Sequence, residues 1–323
     1  MASQAALALK VPPKESEAIK TRMSRVCRTL APPNSEGTLT PVARVSGEPS
    51  DVATRANRPQ SLIITVYGAY SREIGGWYSV ASLRRLVADL GIEDAALRSS
   101  LSRFKRRGIL TAERRDNVAG YALGEAARRT FDVGDDRVLN RRIPPPNRGW
   151  VLVAFSIPES ARDVRYRLRS RLARVGLAQV SGGLWIGPRQ LETDVRYVAE
   201  RLNVQEYIDL FTAEHAAFRP TREAVRGWWD LTEVSQMYED FTHEYSEMAN
   251  RWARSKREPA GDRAFADYTR AMTSWRPLPY LDPGLPREYL PKNWTGDRAT
   301  EVFYAIHDAI AVPALNYVRD MCK

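Results

Sequence analysis

The stretch from Trp77 to Leu123 constrains this chain more than any other, because two glycines cut it into pieces of distinct period. Trp77, Leu83, Leu86, Val87 and Leu90 are spaced for one apolar helix face, and Ser79 stands where an N-cap belongs. Gly91 ends that helix. A second follows, with Leu97, Leu101 and Phe104 inward and Arg98, Ser99, Ser102, Arg103, Lys105 and Arg106 left outside. After Gly108, the runs Ile109–Arg114 and Val118–Leu123 can pair as a hairpin about Asp116–Asn117. Helix, helix, hairpin is the order of a winged helix-turn-helix, whose second helix enters the DNA major groove while the hairpin contacts the backbone. The pattern points to a DNA reader.

At 323 residues the chain exceeds one reader head and has room for two or three domains. A net charge of +10 suits an anionic partner, nucleic acid or an acidic ligand, without choosing between them. Cys27 and Cys322 lie near opposite ends with no C-x-x-C spacing, which argues against a disulfide framework or zinc site and for a reducing cytoplasm. No apolar run approaches the ~20 residues of a membrane span. The Ala5–Leu9 opening is too short for a signal-peptide core.

The expected class is α+β multidomain. Residues 1–58 read as a disordered or weakly structured extension with a short helix about Glu15–Leu30. The head covers 59–136; in it Leu62, Ile63, Ile64 and Val66 fit a helix or a strand, and Glu125–Phe131 a closing helix. A proline-rich linker over 137–148 contains Pro144-Pro145-Pro146, which favours stiff polyproline II. Residues 149–218 read as βαββαβ, the order of a ferredoxin-like fold: Trp150–Phe155, a helix with Val164, Leu168, Leu172 and Val175 inward, a hairpin at Gly182-Gly183, a helix through Leu191–Leu202, and a strand at Tyr207–Phe211. The first of those helices carries Arg162, Arg165, Arg167, Arg169, Arg171 and Arg174, a face for solvent, a dimer contact or nucleic acid. Residues 219–323 read as helical and aromatic, broken by prolines, with a final helix from about Arg298 to Ala311.

With those residues laid out, the chain resembles the PaaX-type family of transcriptional repressors of phenylacetic acid degradation. Four stretches carry the likeness. They are Ser61-Leu62-Ile63 through Tyr67-Gly68, followed by Gly75-Gly76-Trp77 and Ser82-Leu83; Leu97–Phe104 closing on Gly108-Ile109-Leu110; Trp229-Asp230-Leu231-Thr232 with Met237-Tyr238-Glu239 and Phe241; and Leu281–Pro286 with Tyr289-Leu290-Pro291 and Asn293–Gly296. The resemblance implies a winged-helix head, a middle domain similar to the Cas2 fold and a helical C-terminal domain. It also implies dimeric repression of catabolic operons, relieved by an aryl-CoA thioester, typically phenylacetyl-CoA. The chain departs from the pattern in its long N-terminal extension, its less basic wing tip Asp116–Ala119 and its short tail after Asp320.

For DNA contact the candidates are Arg98, Ser99, Ser102 and Arg103 on the second helix, where an Arg bidentate to guanine is worth about 1–3 kcal/mol of discrimination. Arg106, Arg107, Arg114 and Arg115 suit phosphates, and Arg84 and Arg85 could join them. An ordinary solvated helix face would look similar in isolation; the flanking helix and hairpin favour DNA. Catalytic motifs are absent: His215, His243 and His307 form no H-E-x-x-H, and there is no G-x-S-x-G or Walker A loop. No cofactor or metal is called for. The Cas2 likeness raises a metal-dependent nuclease or RNA-binding protein as the alternative, but the first middle-domain strand ends Phe155-Ser156-Ile157-Pro158, without the carboxylate a divalent cation needs. For an acyl-CoA effector, Trp228, Trp229 and Tyr238 could form the slot, with Arg222, Arg226, Arg276, Arg287 and Lys292 as cations. Such a stripe is more often core, and Asp230 and Asp282 suit caps. The expectation is a homodimeric, cytoplasmic, ligand-responsive repressor on a palindromic operator.

Overall fold

The computed structural model describes residues 58–139, 149–216, 218–255 and 259–323. The expected extension before Arg58, the helix about Glu15–Leu30 and the Pro144–Pro146 run lie outside these residues. The head begins with α1 (Pro59–Tyr70), which starts on a proline whose missing N–H is harmless in a first turn. The ambiguous run Leu62–Val66 is thus helical, and it buries Leu62, Ile63, Val66, Tyr67 and Tyr70. Gly75 and Gly76, both at positive φ, then redirect the chain into β1 (Trp77–Ser79). Spacing placed Trp77 on the following helix; the structure places it in this strand, opposite Ala122. The two glycines before it and the cap after it leave the tryptophan in extended backbone.

Helix α2 (Val80–Asp89) starts where Ser79 Oγ accepts from the Ser82 N–H at 2.9 Å, the expected N-cap. After α3 (Asp94–Arg106), β2 (Leu110–Arg115) and β3 (Val118–Leu123) pair antiparallel in register from Leu110 opposite Leu123 to Arg115 opposite Val118. Asp116 and Asn117 sit at φ 47° and 64°, the type I′ geometry whose twist matches the strands. With β1 the sheet runs β1-β3-β2. Trp77 covers β3 at Gly120, where a Cβ would meet the indole at 2.3 Å. Helix α4 (Glu125–Leu139) closes the head and continues to Leu139, past Phe131.

In the middle region, β4 (Trp150–Phe155), α5 (Arg162–Arg174), β5 (Ala178–Ser181), β6 (Leu184–Pro188), α6 (Glu192–Leu202) and β7 (Ile208–Ala213) form the expected βαββαβ order. The antiparallel sheet runs β5-β6-β4-β7. Alternation splits β4 between two cores. Val151 and Val153 join Leu168, Leu172, Val195 and Val198 beneath the helices, while Trp150 and Leu152 face the C-terminal region.

The C-terminal region holds α7 (Thr221–Trp228), α8 (Leu231–Arg254), α9 (Gly261–Trp275), the short α10 (Leu278–Leu281) and α11 (Gly296–Met321). Asp230 caps α8 by accepting from the Thr232 N–H at 3.0 Å. Asp282 orders the following turn, accepting from the Gly284 N–H at 2.7 Å and from the Tyr238 hydroxyl at 2.9 Å. The last helix is far longer than the Arg298–Ala311 expected. It carries Pro313 in its interior. An interior proline costs about 3 kcal/mol, which burial of Ile310, Ala314 and Val318 on either side offsets.

One apolar cluster joins α1–α3 of the head to α8, α9 and α11, although the two sets are far apart in sequence. Tyr70 is the pivot: it is buried against Phe265 and Tyr268, and its hydroxyl lies 3.1 Å from Thr269 Oγ1. One turn earlier the Thr273 hydroxyl donates to Thr65 Oγ1 at 2.9 Å. Satisfied hydroxyls of this kind fix a register between two buried helices that apolar contact alone leaves loose.

Candidate nucleic-acid interface

On α3 the sequence divides cleanly. Leu97, Ser100, Leu101 and Phe104 are buried, and Ser100 hydrogen-bonds back to the Ala96 carbonyl. Arg98, Ser99, Ser102, Arg103, Lys105 and Arg106 are all exposed. At 100° per residue they fan over an arc of roughly 160° on the opposite side. Arg107 is exposed just past the helix end. Among the described residues none of the arc's arginines has a side-chain hydrogen bond or ion pair, so their donors are available to a partner. Arg84 on α2 grips Asp94 at the start of α3 through both carboxylate oxygens, one at 2.9 Å. That hydrogen bonding holds the Asp94 carboxyl below its ordinary range. It also fixes the angle at which α3 leaves α2.

The hairpin's arginines are occupied differently. Arg114 donates to the Asn117 carbonyl at 2.8 Å, closing the turn. Arg115 pairs with Glu113 at 2.7 Å, donates to the Gly75 carbonyl at 3.1 Å and stacks over Trp77. Arg115 therefore ties the hairpin to β1. Arg85 likewise reaches back, donating to the Met321 carbonyl at 2.8 Å. Beside it Tyr317 donates to Asp89 Oδ2 at 2.7 Å, and Arg319 pairs with Glu73 at 3.2 Å, so the end of α11 is docked on the head.

The proposed slot residues do not meet. Trp228 and Trp229 pack around Trp150 with Tyr289, and the Trp229 indole N–H donates to the Gly176 carbonyl at 2.9 Å, making them the seam between middle and C-terminal regions. Tyr238 is fully buried among Trp275 and Trp294. Arg287 pairs with Asp297, and Lys292 is exposed. Arg276 alone lines a cavity, one bounded by α1, α4, α9 and α10. Burial there pushes its guanidinium pKa down.

Two features escaped the sequence. Arg137, near the end of α4, donates to Pro279, Val175 and Asp282 carbonyls at 2.8, 2.9 and 3.3 Å, pairs with Asp194 at 3.2 Å and stacks on Tyr280. It joins all three regions at one point. Arg72 lines the same cavity as Arg276 while pairing with Asp132 at 3.1 Å. No local pattern marks either, because their partners come from distant elements.

The parts define a three-part α+β chain: a basic helix-and-hairpin head, a four-stranded middle and a helical C-terminal region. Three family models match in that order: "PaaX-like protein" over residues 58–127, "PaaX protein central Cas2-like domain" over 144–225 and "PaaX-like protein C-terminal domain" over 229–320. The chain belongs to the PaaX family. A curated relative, "Transcriptional repressor PaaX" of Escherichia coli (strain K12), is 24% identical over 263 residues, covering 80% of this chain and 83% of its own. Among solved structures, "Uncharacterized protein Rv0674 from Mycobacterium tuberculosis" is 21% identical, with a TM-score of 0.45 over 81% of this chain and 99% of that one.

Proposed function

We propose that the chain is a transcriptional repressor of a phenylacetate-type catabolic operon, with the head as a winged helix-turn-helix. The observation that carries this is the arc of unpaired arginines and serines on α3, directly followed by a hairpin with its turn toward solvent. Membership of a family whose curated relative is a repressor supports it. In this reading α3 enters a major groove, Arg98, Ser99, Ser102 and Arg103 face base edges, and Arg106 and Arg107 face phosphates. The protein acts in the cytoplasm as a homodimer on a palindromic operator, and an aryl-CoA such as phenylacetyl-CoA releases it. It is a binding protein, not an enzyme. Nothing favours the nuclease or RNA-binding alternative: β4 ends at Phe155-Ser156, and Glu159 beyond it is held by Arg165 at 2.6 Å. Among the described residues no helix is long and apolar enough to cross a membrane.

Release requires the effector to bind one dimer geometry better than the other, since equal affinity shifts nothing. The test is binding to the DNA upstream of the chain's own gene at ~150 mM salt, where non-specific attraction is damped, with and without phenylacetyl-CoA. Specific binding by wild type, weakened in Arg98→Ala and lost on adding the thioester, is the expected result. No specific binding by wild type overturns the repressor reading.

A further inference from the structure

The cavity at the junction of α1, α4, α9 and α10 has the makings of a ligand site. Its volume is about 80 Å³, and its walls are mostly apolar, including Ala69, Phe131, Leu139 and Met272. Arg276 follows α9 at its C-terminal end and lines this space. Its side chain is partly buried there, and among the described residues no carboxylate or carbonyl accepts from it. A cation half withdrawn from water without an acceptor is costly, and a guest that supplies the counter-charge relieves that cost. Arg72 lines the same space from the turn after α1, but Asp132 and the Gly68 carbonyl already occupy it. Arg276 is therefore the cation left for a guest.

We propose that this cavity takes the acyl end of an aryl-acyl effector, the ring among Ala69, Phe131, Leu139 and Met272 and the acyl oxygen on Arg276. The inference rests on the effector reading above and gives it a place. Size sets the class of guest. Drug-sized pockets run to roughly 300–1,000 Å³ and an apolar cavity of about 150 Å³ takes one benzene, so a single ring enters this one only as its α1 and α9 walls part, and a coenzyme A moiety stays outside. The shared chemistry, an aryl-acyl oxygen facing a guanidinium, belongs equally to a free aryl carboxylate and to its CoA thioester. The position gives the guest leverage. Thr65, Gly68 and Ala69 form one wall from α1, the helix that packs beneath α3, while Tyr268 and Met272 form the other from α9. A guest there pushes on the register that Tyr70–Thr269 and Thr65–Thr273 fix.

Isothermal titration of the full chain with phenylacetate, phenylacetyl-CoA and coenzyme A, in wild type, Arg276→Met and Arg276→Lys, tests this. The expected result is binding of phenylacetyl-CoA, with or without phenylacetate, weakened about tenfold or more by Arg276→Met. Arg276→Lys, which keeps a charge, loses less. Response to phenylacetate identifies a carboxylate site; response to the thioester alone identifies the end of a larger ligand. Ala69→Leu fills the same space from α1 and weakens binding without touching the cation, an independent reading should Arg276→Met fold poorly. Thioester binding unchanged in Arg276→Met and Ala69→Leu overturns this site while leaving the effector reading intact. No binding of any of the three to a wild type that still holds its operator overturns the effector reading, and this inference with it.

Discussion

Arginines on the head divide by what holds them. Arg98 and Arg106 sit on the same exposed arc of α3 but face different tasks in the proposed complex. Arg98→Ala should cost about 1–3 kcal/mol at one base pair and relax sequence preference there. Arg106→Ala should weaken all sequences alike and lower the salt slope by about one. Anisotropy titrations over a series of salt concentrations and single-base operator variants separate the two, and identical behaviour would put both residues on the backbone. Arg115 belongs to another group, since its partners are Glu113, Gly75 and the Trp77 ring. Its position in a basic hairpin reads as a phosphate contact in the sequence; only the fold shows that β1 brings acceptors to it. Arg115→Ala should therefore lower thermal stability more than it weakens DNA binding at permissive temperature, which a melt and a titration on one preparation compare directly.

Among the elements, α4 is the one whose far end binds the regions together. Arg137 near that end is only 14% exposed in its side chain and serves carbonyls from α10 and from the loops after α5 and α10, as well as Asp194 of α6. Arg137→Met strips the cation from several acceptors at once, and a loss of about 3–5 kcal/mol is expected in denaturant unfolding. A loss under 1 kcal/mol would mean water replaces it. Its partner behaves oppositely. Burial raises the Asp194 pKa, and attraction to Arg137 only partly offsets that. For a carboxyl raised above its unfolded value of about 3.9, the stabilising contribution is present below that value and fades as pH rises through the folded pKa. Asp194→Asn should consequently melt no lower than wild type at neutral pH, and its advantage should vanish on acidification toward pH ~4. A variant that melts lower at neutral pH and at low pH alike would contradict this. The short hairpins show the other kind of element, legible from the start. Asp116–Asn117 and Gly182-Gly183 both appear as turns where the sequence puts them, and at Asp116–Asn117 the positive φ angles of the two residues decide the turn.

Across the whole molecule, the head and the C-terminal helices share a core, so a change at α9 reaches α3 through packed side chains rather than through a linker. Native-state hydrogen exchange should give α1 and α9 opening free energies within about 1 kcal/mol of each other, as one cooperative unit. Exchange of α1 far ahead of α9 would show the head opening alone and remove this route for an effector. The sequence by itself determined the local parts: where helices α2 and α3 fall, which face of α3 is basic, the two tight turns and the βαββαβ order. Each follows from a period or a turn preference that acts over a few residues. Tertiary structure alone decided which cations remain free, that Trp228, Trp229 and Tyr238 serve seam and core instead of one slot, and that Arg276 faces a cavity walled by α1. Those facts depend on contacts between residues from tens to about two hundred positions apart, such as Trp150 with Trp229 and Tyr70 with Thr269, and no local periodicity carries information over that distance.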